Sequence, residues 1–182
     1  MRIGNVTAMA AAIAVAAFAS SVSAQEFSLS PTATITGGTA TFTGPSVGLS
    51  QTLSLTCAVS ATLNVAGGTG SSTAPITGAG ISPGNVFCGS LVFPVTPWSA
   101  ATIAGQTVPT NGTNALVTVV VGANTVANDP CNPQPVQARL ATTATGSTLT
   151  FNNVTLQAAS GRADRVCRIN GVLSSSTRVY VH

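Results

Sequence analysis

The run Leu53-Ser-Leu55-Thr-Cys57-Ala-Val59-Ser-Ala61-Thr-Leu63-Asn-Val65 carries an apolar side chain at every odd position and mostly Ser, Thr or Asn between them. Successive side chains of an extended chain point to opposite faces, so this is a strand with one buried and one wet face. A helix would scatter the same apolar residues around its whole circumference. Cys57 falls on the buried side. Leu91-Val-Phe93-Pro-Val95 repeats the period with Cys88 just ahead of it, and Val136–Leu140 and Thr177–Val181 read as further strands. Ala115–Val121 is a continuous apolar and Thr run, expected as a strand covered on both faces. Asn152-Asn153 between Leu149-Thr-Phe151 and Val154-Thr-Leu156 predicts a hairpin turn, and Asn170-Gly171 predicts a second. Gly and Pro punctuate the rest, and residues 66–90 read as a long loop pinned by Cys88. The expectation is an all-β fold, a β-sandwich or partly closed barrel of roughly nine or ten short strands.

The first residues have another character. Met1-Arg2 is a short basic start, Ala8–Phe18 is an almost unbroken apolar run, and Val22-Ser23-Ala24 fits a small-x-small cleavage pattern. These are the parts of a secretory signal, expected to span 1–24 and to leave Gln25 first in the mature chain. Ser, Thr and Gly interrupt every later apolar run, so no integral membrane segment is expected in the mature chain. The expected location is exported, extracellular or at the cell surface.

Charge is scarce. The chain has six Arg, no Lys, three acids and one His. Without Arg2, five Arg face Glu26, Asp129 and Asp164, a net of +2. From residue 27 to 128 the only ionisable side chains are Cys57 and Cys88. Neutralising phosphates takes a stripe of Lys and Arg, so nucleic acid is excluded as a partner. Little charge also removes the repulsion that keeps proteins apart.

Four cysteines follow the signal: Cys57, Cys88, Cys131 and Cys167. An even number in an exported chain reads as two disulfides. Three pairings exist. Cys57–Cys88 and Cys131–Cys167 are favoured because sequential pairs close the shorter loops. No C-x-x-C pair is present to suggest zinc.

Catalysis needs an acid, a base, an activated nucleophile or a metal. The only His is His182, the last residue, and the three acids lie far apart in sequence. No enzyme activity and no cofactor are expected. Three other features have a plain reading beside a functional one. Trp98 is either core packing beside a disulfide or an exposed anchor for carbohydrate, lipid or a partner. Arg162, Arg165 and Arg168 around Asp164 are either a solvated turn or a weak anionic contact. Asn111-Gly-Thr113 and Asn153-Val-Thr155 match glycosylation sequons and carry little weight in a signal of bacterial style. Residues 25–36 form a separate unit ahead of a single β domain over 37–182. Phe27, Leu29, Ala33 and Ile35 alternate there with polar residues until Gly37-Gly38. Such a strand pairs at home or reaches a neighbouring molecule.

In order, the chain presents a signal, Ser54-Leu55-Thr56-Cys57, a Gly/Ser-rich stretch to Cys88, and Leu91 through Pro97-Trp98. Cys131, Leu149-Thr-Phe-Asn-Asn153 and Cys167 follow. This arrangement resembles the PraA/PraB-like family of exported activators of alkane oxidation. The resemblance implies a small extracellular protein that aids growth on hydrocarbons, associated with the cell surface or biofilm matrix, with no catalytic residues. Two roles follow. One is a self-associating coat, fibre or matrix component, partnered by itself or by cell-surface components. The other is a monomeric secreted accessory factor at a hydrocarbon or lipid interface.

Overall fold

The computed structural model describes residues 25–182 apart from Ala33, 83–86, Leu91, 109–113 and 126–128, and of Phe93 and Thr125 it describes the backbone alone. The expected signal segment 1–24 and the sequon at Asn111 therefore lie outside the described residues.

Among the described residues eleven strands follow one another: β1 (Phe27–Ser28), β2 (Gly38–Ser50), β3 (Ser54–Val65), β4 (Thr73–Ser82), β5 (Val92–Pro94), β6 (Trp98–Thr102), β7 (Asn114–Thr125), β8 (Cys131–Thr143), β9 (Gly146–Leu156), β10 (Cys167–Ser175) and β11 (Tyr180–Val181). With the short β1, β5 and β11 set aside, each strand lies antiparallel to the next, and β10 closes on β2. The result is an eight-stranded up-and-down barrel, with β1 and β11 forming a small sheet of their own. Closure settles the choice between sandwich and barrel. It also removes the long free edges on which self-association through strand pairing would depend.

Alternation drives the closure. On β3 the odd positions from Leu55 to Val65 are buried and the even ones face outward, as the period predicts. β7 does the same: Ala115, Val117, Val119 and Val121 are buried, while Leu116 between them is 46% exposed. The expectation that this run is covered on both faces is thus corrected, because a barrel wall has one inner face only. Apolar side chains point in and Ser, Thr and Asn point out, the reverse of a barrel that faces lipid. No described helix is long and apolar enough to cross a membrane.

Both expected hairpin turns turn out to be something else. Asn152-Asn153 lies inside the continuous β9, and Asn170-Gly171 inside the continuous β10. The two dipeptides face each other across one irregularity, where the register shifts between Ile169 and Gly171. Asn153 takes the left-handed φ of 49°, and its N–H donates to Asn170 Oδ1 at 3.2 Å. Asn tolerates that φ in a bulge as readily as in a turn. Further shifts fall between Gly44 and Val47 on β2 and between Asn170 and Ser174 opposite it, so the closing seam is strongly bulged. Residues 66–90 are not all loop, since β4 occupies Thr73–Ser82 with Ala74 and Ile76 buried.

Candidate functional site

The barrel has two unlike ends and an apolar lumen between them. At the end reached by Gly38, Val65 and Ser175, residues 26 and 182 exchange backbone hydrogen bonds of 3.0 Å each way, extending the pairs Phe27↔Val181 and Ser28↔Tyr180. Phe27 is 1% exposed and roofs the lumen there, against Phe42, Val117 and Leu140. The fully buried Ser28 hydroxyl accepts from Ser30 N–H at 3.0 Å and Thr36 N–H at 3.2 Å, which folds the chain back on itself. A second buried cluster ties down the other terminal strand. Val179 N–H donates to Ser147 Oγ at 2.8 Å, and Thr142 Oγ1 bonds Ser147 Oγ at 3.0 Å and the Val179 carbonyl. Gly146 permits this approach, because a Cβ there would run into the Ser175 carbonyl.

The opposite end carries both disulfides, Cys57–Cys88 and Cys131–Cys167. These are the favoured sequential pairings. The second bridge joins the starts of β8 and β10, which are separated by β9. Gln51, in the turn between β2 and β3, donates through Nε2 to the carbonyls of Asp129 and Arg165, 2.7 Å from each. One side chain thus fastens that turn to the approaches of both Cys131 and Cys167.

Among the described residues, two apolar spaces lie within the lumen. One of about 20 Å³ sits under Phe27, and one of about 30 Å³ lies toward the disulfide end. Ala61, Ile76 and Leu149 line both, so the two lie end to end along the barrel axis. Trp98 lines the larger space and is 7% exposed. Its indole N–H donates to the carbonyls of Val95 at 2.7 Å and Gly122 at 3.1 Å. Gly122 can have no side chain: a Cβ would lie 2.8 Å from Pro133 N and 2.9 Å from Val95 O.

Trp98 is therefore core, and it offers no surface to a carbohydrate or partner. Arg162, Arg165 and Arg168 all lie at the disulfide end. Arg162 forms an exposed ion pair with Asp164 at 2.8 Å. The hydrogen bond from Arg162 holds Asp164 below the usual carboxylate range, and the same bond raises Arg162. Arg168 lines a groove of about 210 Å³ with Asn153 and Asn170. Residues 25–36 pair within their own chain. Phe27–Ser28 alone is strand, Leu29 packs on the core, Ile35 is half-buried, and Ala33 lies outside the described residues. The alternation fails as a strand because Pro31 and the Ser28 hydroxyl bend the segment.

His182 is held in place, its Nε2 2.9 Å from the Ser30 carbonyl and its ring stacked on Tyr180. Asp129 accepts from Ser160 N–H and Oγ at 3.1 and 2.6 Å. Among the described residues no three His, Cys, Asp or Glu could hold a metal. Sequence reasoning missed Ile76 and Ile81 as lumen residues because their Gly-rich segment was read as loop. The alternating Ala74 and Ile76 were the available signal.

Comparison with curated proteins and with solved structures found no match. The family described as alkane oxidation protein activator, PraA/PraB-like, matches residues 1–182, the whole chain. Two bridged cysteine pairs and an all-β chain poor in charge agree with the resemblance in the sequence, and the chain belongs to this family of alkane oxidation activators.

Proposed function

We propose that the protein is an exported, non-catalytic accessory factor of alkane oxidation that acts at the hydrocarbon surface. The outer wall of the barrel carries this reading. Among the described residues of its eight strands, only Arg139 and Arg168 are charged. Leu53, Phe87, Leu116 and Val172 stand about half exposed on and around that wall. With so little charge the wall has few ionic groups to desolvate on meeting oil, and its exposed apolar groups gain from leaving water while the Ser and Thr hydroxyls between them keep to the water side. The family's description supplies the context.

Purified protein should lower the tension of an n-hexadecane–water drop and restore hexadecane growth to a strain lacking the gene. The combined change Glu26→Gln, Asp129→Asn, Asp164→Asn and His182→Gln should leave both effects in place. Unchanged tension refutes the interfacial reading, and loss of growth support by the folded fourfold variant refutes the non-catalytic one.

The low charge of the same wall also favours self-association into a coat, fibre or matrix. Among the described residues, closure leaves the short β1, β5 and β11 and residues 77–82 of β4 for edge pairing, so such contacts would be made mostly face to face. Light scattering that stays at monomer size as concentration rises counts against this second reading.

A further inference from the structure

Between β4 and β7 the barrel wall is joined over part of its height only. β6 bridges the two strands, pairing with β4 from Thr73 to Ile76 and with β7 from Val117 to Val120. Among the described residues, β4 beyond Ile76 has ladder partners on the β3 side alone; the facing part of β7 pairs with the three-residue β5, which packs against β4 without a ladder. Trp98, the first residue of β6, stands at the corner of this unladdered strip. The larger lumen space lies directly behind it, lined from one side by Ile76 and Ile81 and from the other by Val121 and Ala123.

We infer that this strip is an entrance and that the lumen behind it takes one straight hydrocarbon chain, an inference that rests on the reading of the protein as an accessory factor acting on hydrocarbon. Every side chain lining the two spaces is apolar, and the one N–H among them, that of Trp98, already has two carbonyl partners. A carboxylate or hydroxyl entering there would give up its water and gain nothing, whereas an alkane has no such loss. An eight-stranded barrel is wide enough for packed side chains or one slender ligand. Two spaces in line under the Phe27 roof suit an extended chain and not a ring. At about 30 and 20 Å³ they would hold only a few waters. The chain therefore enters by wedging side chains apart, and the strip is where the wall yields without breaking a ladder. Apolar cavities stay dry and accept apolar guests once they are large enough, so these two take a chain only as the side chains around them part.

Trp98 is the only tryptophan, so its fluorescence reports on the lumen. Purified protein is titrated with 1-bromododecane, whose bromine quenches indole on contact. Saturable quenching, one chain per protein by native mass spectrometry, and reversal by n-dodecane are expected. Cyclododecane and dodecanoate should displace the probe at least about tenfold less well. Ala61→Phe, which fills the junction of the two spaces, should weaken quenching at least about tenfold. Ala123→Leu, at the strip, serves if Ala61→Phe does not fold. Both variants should still lower hexadecane tension. Quenching that never saturates, or is equal in folded filled variants, makes the lumen an ordinary packed core and overturns the inference. Dodecanoate displacing as well as dodecane overturns the choice of a bare hydrocarbon. Failure of the unaltered protein to lower tension counts against the interfacial reading alone.

Discussion

At the barrel end where residues 26 and 182 meet, the seal is made of hydrogen bonds from buried Ser and Thr; at the opposite end it is covalent. The terminal end holds short segments whose backbone groups can find partners in Ser28, Thr142 and Ser147. At the disulfide end, residues 87–90 and 157–166 lie beyond the barrel ladders and are tied to the wall through Cys88 and Cys167. Connections of that kind lose much conformational entropy on ordering, and a cross-link acts on that entropy in the unfolded chain. Where partners are local, polar side chains suffice; where the chain must be held across a gap, a bridge takes over.

Four measurements test this contrast. Reducing both disulfides should have the largest effect. Bridges with separations of 31 and 36 residues contribute about 3–4 kcal/mol each, together comparable to a whole domain's stability. Urea unfolding with and without reductant reads this, and a reduced protein as stable as the oxidised one would erase the distinction between the ends. Phe27→Ala should lower stability by about 3–5 kcal/mol by unroofing the lumen. Hydrogen exchange should then quicken first at residues 179–182 and last near Cys131. Ser147→Ala should remove about 1–3 kcal/mol, because it strands the buried Val179 N–H. Equal loosening of both ends would show that the cluster is not local.

The smallest effect belongs to the exposed Arg162–Asp164 pair. The folded pKa of Asp164 lies below its ordinary value. Any stability it lends is therefore present above the ordinary carboxylate range and is lost as pH falls through the folded value. Solvent screens a pair this exposed. Asp164→Asn should leave the urea midpoint at neutral pH, and its shift on acidification, indistinguishable from those of the unaltered protein.

The odd–even pattern revealed β3, its buried face from Leu55 to Val65 and the inward aim of Cys57, because period 2 is a local property; Leu53, ahead of the strand, is exposed instead. Disulfide pairing was legible from loop length. Barrel closure was not, since it depends on β10 meeting β2 across bulges at Gly44–Val47 and Asn170–Ser174. Nor did Asn153 reveal whether its positive φ served a turn or a bulge, which only the strand opposite decides. The lumen escaped the sequence for a similar reason. Ile76 and Ile81 are separated by Gly78 and Gly80, which break the alternation that would have marked them as facing inward.

The joining of β10 to β2 has a bearing on timing. A meander can zip up strand by strand as the chain emerges, but its last ladder unites residues more than a hundred positions apart, such as Ser50 and Arg168. Until residues 167–181 are available, β2 presents a bare apolar-faced edge. Loop-closure entropy makes such distant pairings slow. The half-wound sheet is thus the form most prone to aggregate, and whatever shields β2 during that wait decides how much barrel is made.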